Sequence, residues 1–154
     1  MNIIHTTALE VAKNLFKDVQ EVEGPESHPL ILAALRMAAE WPENDEVPWC
    51  AAVPFMVCQA LGLPRPKAAG LMARAWLGVG QSVPLEDAAP GFDLVILARG
   101  EDAPGPEVLN APGHVGYFLG VQGSKVLVWG GNQTDAFNLA YFSSSRILGI
   151  RRVI

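Results

Sequence analysis

The chain has little of what usually marks a metal site, a nucleic-acid surface or a membrane span. It carries three histidines and two cysteines in 154 residues. A structural zinc needs four ligands and a catalytic one three. Cys50 and Cys58, with one distant motif histidine, do not supply them. Lys and Arg number 11 against 16 Asp and Glu, for a net charge of −5 and a sequence pI near 5.1. Arg151-Arg152 is the one basic pair that stands out, which argues against nucleic acid as a partner. No apolar run approaches the roughly 18 residues that a membrane helix requires. Met1 to Lys13 lacks a charged-then-apolar leader pattern, so synthesis in the cytoplasm is expected, with any export by another route.

The scarcity of cysteine also bears on disulfides. Cys50 and Cys58 fall on one expected helix, where eight residues at about 1.5 Å rise separate their Cα atoms by roughly 12 Å. A bridge needs less than about 7 Å. They are two separate thiols, and Cys58, flanked by Val57 and Leu61, reads as a small core residue.

Apolar residues, by contrast, are plentiful. Half the chain is hydrophobic and 18% is charged, the composition of a compact protein with a real core. The length suits a single domain over residues 1–154. Thr7-x-x-Glu10 is a capping box, and Ala8, Val11, Ala12, Leu15, Phe16 and Val19 follow at helical spacing. Gly24-Pro25 is expected to break that helix. Pro29 then opens a second, with Leu30, Ala33, Ala34, Met37, Ala38 and Trp41 on one face, ending before Pro42. A third runs from Ala51 to Leu61 and stops at Gly62, and a fourth from about Lys67 to Leu77 closes at Gly78.

The period then changes. Phe92 to Ala98 reads as a strand, Arg99 to Gly113 as a Pro/Gly-rich loop, and Val115–Val121 with Lys125–Trp129 as a hairpin turning at Gln122-Gly123-Ser124. Ile147 to Ile154 reads as a last strand. Helices first and an antiparallel sheet after them predict an α+β domain.

The chemistry concentrates at Val47-Pro48-Trp49-Cys50-Ala51-Ala52. This segment puts a thiol at a helix start, where free backbone N–H groups and the positive dipole end favour thiolate, so a depressed pKa is expected at Cys50 and not at Cys58. The hairpin supplies a second placement. With a three-residue loop, Val121 pairs with Lys125 and paired positions sum to 246, setting His114 opposite Asn132; a two-residue loop sets it opposite Gly131. An Asn carbonyl there could accept the imidazole N–H and fix the tautomer that faces Cys50, with Gln133 the next candidate for that role.

Pro48-Trp49-Cys50-Ala51, Gly113-His114-Val115-Gly116, Gly130-Gly131-Asn132-Gln133 and the closing Arg146-Ile147-Leu148-Gly149-Ile150-Arg151-Arg152 resemble, in that order, the NlpC/CHAP superfamily of papain-like cysteine peptidases and amidases. The resemblance covers roughly residues 8 to 152. It implies a papain-like core with N-terminal helices on an antiparallel sheet, cleaving a peptide or amide bond of bacterial peptidoglycan without a cofactor. It also implies Cys50 as nucleophile, His114 as base and Asn132 as the third polar residue. Such an enzyme meets stem peptides at the cell wall, as a phage lysis enzyme, a tail-associated muralytic enzyme or a secreted antibacterial effector. An effector would add an immunity or inhibitor protein as partner.

Two positions depart from the pattern. Ala51 stands where Ser is common, and no Glu lies near Gly130. These departures motivate a rival reading, a non-enzymatic structural or binding module that keeps the fold. Acyl transfer or deamidation by the same triad is a second rival. Around the triad, Asn44 is a candidate oxyanion donor, and Trp49 and Trp129 read either as cleft walls or as core. Glu43, Asp45 and Glu46 read as a solvated acidic loop, with a substrate amine or a weak Ca²⁺ site as the alternatives. His5 and His28 read as solvated surface. The bond that is cut stays open on sequence alone.

Overall fold

A computed structural model describes residues 7–23 and 26–153. Thr7 closes the expected capping box, its side chain accepting from the Glu10 N–H while the Glu10 carboxylate accepts from the Thr7 N–H. Helix α1 (Ala8–Phe16) ends sooner than its apolar spacing predicts. Asp18 turns left-handed (φ +57°), and Val19 stays buried in an extended segment that bonds to Phe137 and Asp135 instead. Gly24-Pro25 and His5 lie outside the described residues.

Helix α2 (Pro29–Ala38) starts with His28 as its N-cap, the Nδ1 of which accepts from the Leu30 N–H, so His28 is a half-buried cap and not free surface. The helix stops before Trp41, which is 65% exposed and takes no part in the core. Helix α3 (Ala52–Leu61) ends at Gly62 with φ +67°, the left-handed C-terminal turn that glycine adopts without strain. The fourth expected helix is reduced to a 3-10 segment, Ala73–Gly78. Pro64 and Pro66 withhold N–H donors, and Ala69 takes a left-handed φ of +54°, which no continuous helix accommodates.

Six strands follow: β1 (Gln81–Ser82), β2 (Leu94–Ala98), β3 (Gly113–Gln122), β4 (Lys125–Gln133), β5 (Ala136–Ser143) and β6 (Ile147–Arg152). They form one antiparallel sheet in the order β1-β6-β2-β3-β4-β5. The fold is α+β, as composition and period predict; β1 and β5 have no counterpart in the sequence reading.

The β3–β4 hairpin turns through two residues, not three, since Gln122 faces Lys125. A one-residue irregularity at Leu119 then shifts the register, so Phe118 faces Val128 and Tyr117 faces Trp129, both pairs summing to 246. The loop length differs from expectation, yet the register towards the site is the expected one.

The sheet has two unlike faces. Leu94, Ile96, Val115, Tyr117 and Phe137 pack against Phe16, Leu35, Val53 and Val57 of the helical layer. Val95, Leu97, Phe118, Val126, Val128 and Ile150 form a smaller cluster on the other face. Each fully buried Leu, Ile or Phe contributes about 1.5–3 kcal/mol, so the helical side holds most of the apolar stabilisation. Among the described residues no helix is long and apolar enough to cross a membrane.

Candidate active site

Cys50 precedes Ala51, the N-cap residue of α3, and is 4% exposed. Its sulfur lies close to β3, where the Val115 backbone N–H and the Arg99 guanidinium both act on it electrostatically. Both favour thiolate, as does the backbone of Cys50 and Ala51, but burial acts more strongly and raises the Cys50 pKa above the ordinary thiol value. The expected depression is therefore overturned. The helix start does help the anion, but water has been removed, and desolvation outweighs the dipole. Cys58 is 1% exposed in the core and its thiol is pushed up to about 11.

His114, the neighbour of Val115, is 2% exposed. It pairs with Leu97 across the β2–β3 ladder and so shares the face of the smaller cluster, while Val115 faces the helices. The thiol and the imidazole thus reach the start of β3 from its two sides. No hydrogen bond joins them: Nε2 meets Gln133 Oε1 at 2.9 Å, and Nδ1 is buried without a partner.

The partner of His114 is Gln133, where the hairpin arithmetic predicted Asn132. Along β4, Gly130 faces His114 and Gly131 faces Trp49 and Val53, so strict alternation would bring Asn132 to the imidazole. Asn132 instead takes a left-handed φ of +55°. The β4–β5 ladder steps from Gly130↔Asn138 to Gln133↔Ala136, three residues on β4 against two on β5. That bulge reverses the alternation and delivers Gln133 to the imidazole's face. The glycines permit the close approach. A Cβ at Gly130 would lie 2.7 Å from Gln133 Oε1 and 3.2 Å from His114 Nε2, and one at Gly131 would strike the Trp49 ring at 2.5 Å.

The Gln133 amide has only one sensible orientation. Its Nε2 donates to Asn138 O at 2.7 Å, Asn138 Oδ1 at 3.1 Å and Val128 O at 3.3 Å, all acceptors. Asn138 in turn donates from Nδ2 to Gln133 O at 2.9 Å. Oε1 must then be the atom facing His114, so Nε2 of the ring carries the proton and Nδ1 carries the lone pair. Asn138, which sequence reasoning missed, holds this orientation in place.

Burial depresses the His114 pKa to about 4, with Arg99 and Arg146 adding to the effect and the Gln133 hydrogen bond opposing it. The imidazole is neutral at pH 7. As pH falls, the unfolded chain takes up the proton first, so the stability contributed by this residue is complete above pH 6.5 and is lost between 6.5 and about 4. The expected loss from pH 7 to pH 4 is about 3 kcal/mol. Urea midpoints of wild type and His114→Gln at both pH values measure it; equal pH slopes would contradict the depressed value.

The other sequence candidates lie elsewhere. Trp49 is fully buried, stacked on Phe16 at 6.5 Å and donating its Nε1–H to Glu21 at 2.7 Å, so it is core and not cleft wall. Trp129 is half-buried beneath the Lys13 ammonium. Asn44 is exposed, accepts from the Glu46 N–H at 3.1 Å and does not line the Cys50 cavity, so the oxyanion role has no geometric support. Asp45 turns inward at 1% exposure and accepts from the Val22 and His28 N–H groups, against the expectation of a solvated residue. Glu43 and Glu46 point to solvent. Among the described residues no three His, Cys, Asp or Glu side chains gather as a metal site, so the calcium alternative has no cage.

Two cavities flank the start of β3. One, of about 260 Å³, is bounded by Cys50, Met72, Arg99, Asn110 and Pro112, and the other, also about 260 Å³, by Arg99, His114, Asn132, Gln133 and Arg146. The wall of the first depends on Arg74, a fully buried residue that sequence reasoning missed. Its guanidinium donates to the carbonyls of Pro112, Pro104, Gly105 and Val108 at 2.8–3.1 Å. A solitary Arg amid Ala and Trp in an apolar segment was the available signal. The larger cavity, about 570 Å³ beside Pro64, Lys67 and Leu109, does not include the thiol or the imidazole. No protein-family model matches the chain, and no curated protein matches it.

Proposed function

We propose that this chain is a papain-like thiol hydrolase that cleaves a peptide or amide bond of bacterial peptidoglycan, related to the NlpC/CHAP superfamily. The observation that carries the proposal is the oriented base. Gln133 and Asn138 hold His114 with its lone pair on an unpartnered Nδ1, one residue from the Val115 N–H that acts on the Cys50 sulfur.

In the resting state thiol and imidazole are both neutral. The reaction requires the thiol and the imidazole, which lie on the two sides of β3, to be brought within reach of each other; Nδ1 then takes the thiol proton as Sγ attacks the substrate carbonyl. The tetrahedral intermediate expels the amine, which leaves with the proton returned by the imidazolium, and a thioester remains on Cys50. Water, deprotonated at Nδ1, attacks the thioester; the carboxylic acid departs and the thiol is restored. No step calls on a cofactor, and the substrate partner is the stem peptide of the wall. Localisation at the wall, after phage-mediated or specialised export, belongs to the same proposal.

The burial of Cys50 and His114 favours a second reading, a binding module with a dormant site. Digestion of purified sacculi separates the two. Mass spectrometry of the soluble products should show muropeptides with one water added across a single bond type, absent with Cys50→Ala. Undigested sacculi over a range of pH and salt would leave the binding module, and products of transferred acyl groups or of deamidation would indicate the same triad in another reaction.

A further inference from the structure

Arg99 stands between the two cavities at the start of β3 and lines both. It makes no hydrogen bond or ion pair with any described residue, whereas Arg152 is paired with Asp93, and Arg36, Arg65, Arg74, Arg146 and Arg151 each bond at least one backbone carbonyl. Arg146 lines the imidazole cavity with it. Its Nε donates to Ala98 O at 2.9 Å and its guanidinium lies over the Phe142 ring at 5.2 Å, so the fork is anchored on one edge and the other is left for a ligand.

Neither cavity is lined by a carboxylate, in a chain with 16 acidic residues against 11 basic ones. Two cations beside a buried, neutral imidazole make an electropositive hollow whose counter-charge the lining residues do not provide. Arg99 is exposed and Arg146 half-buried, so water solvates the pair until an anion takes its place. A guanidinium fork matches a planar carboxylate, with which it forms two parallel hydrogen bonds.

We propose that Arg99 and Arg146 bind a carboxylate of the substrate in the cavity beside His114, so that the enzyme selects acyl peptides with a free carboxylate near the scissile bond. The role in selection rests on the hydrolase reading; the anion site itself does not. Thr134 at the rim offers a neutral hydrogen-bonding group.

The test uses N-acetyl-D-alanine and its neutral twin, N-acetyl-D-alaninamide, added to Cys50→Ala protein while the His114 ring signals are followed by NMR. The acid should shift them with a saturable dependence, and the amide should require at least about tenfold higher concentration for the same effect. Arg99→Gln and Arg146→Gln should each weaken the acid about tenfold and leave the amide unchanged, with the effect shrinking as salt rises. Equal responses to acid and amide, no response to either, or undiminished acid binding in folded Arg99→Gln/Arg146→Gln protein would overturn the site. Saturable acid binding together with intact sacculi would overturn the hydrolase reading and leave the anion site standing; digestion without carboxylate preference would do the reverse.

Discussion

Replacing Cys50 with Ala should reduce sacculus hydrolysis by at least about 10³-fold, since the other thiol, Cys58, is buried in the core at 1% exposure. His114→Ala should fall to a similar floor, because the two act as one unit. Gln133→Leu should cost about 10–100-fold in kcat, with a smaller change in KM, by freeing the imidazole to rotate and to change tautomer. Asn132→Gly is the matched control, since glycine keeps the left-handed backbone at that position (φ +55°) and removes a side chain that does not bond His114. Its rate should stay within about threefold of wild type, an order-of-magnitude bound for a residue outside the reacting groups. A large loss at Asn132 with little at Gln133 would restore the sequence-based assignment and contradict the bulge. Steady-state kinetics on a defined stem peptide, with melting temperatures to exclude unfolding, make the comparison.

The largest effect on stability is expected at Arg74. Arg74→Met conserves much of the side-chain volume but leaves the carbonyls of Pro104, Gly105, Val108 and Pro112 without their donor. Removing a buried charged partner from several acceptors costs about 3–5 kcal/mol. In a domain of this size that lowers the melting temperature by on the order of 10 °C. The damage should centre on residues 99–112, which wall the Cys50 cavity, so hydrogen exchange there should accelerate more than in α1 or β5. A melting temperature within about 2 °C of wild type would show that water replaces the guanidinium at these carbonyls.

These two sites differ in how far they were legible in the sequence. Elements with local signatures were readable: the Thr7–Glu10 box starts α1, and Gly62 stops α3. Pairing arithmetic also worked, because the irregularity at Leu119 offset the misjudged turn and kept Phe118 opposite Val128. What defeated the reading was backbone that departs from its period. Asn132, Thr134 and Asp135 all have positive φ, and none is glycine. Thr134 and Asp135 make the tight turn into β5, a geometry usually advertised by Asn-Gly or Asp-Gly. With that turn concealed, β5 was invisible, and so was Asn138, which orients Gln133. The inward turn of Asp45 and the four-carbonyl reach of Arg74 are long-range polar contacts, which composition and periodicity do not encode. The Cys50 pKa was misjudged for a related reason: the helix start is a local feature, whereas burial is set by the whole fold.

The central claim is that Cys50 attacks an acyl carbon and carries it as a thioester. Rapid acid quench of wild-type protein mixed with a defined stem peptide, followed by intact-mass analysis and peptide mapping, tests it directly. The account predicts a transient adduct equal in mass to the carboxylic acid product less one water, located on the peptide containing Cys50 and absent from Cys50→Ala protein. Turnover with no adduct at any quench time, or an adduct that maps to Cys58, would contradict it.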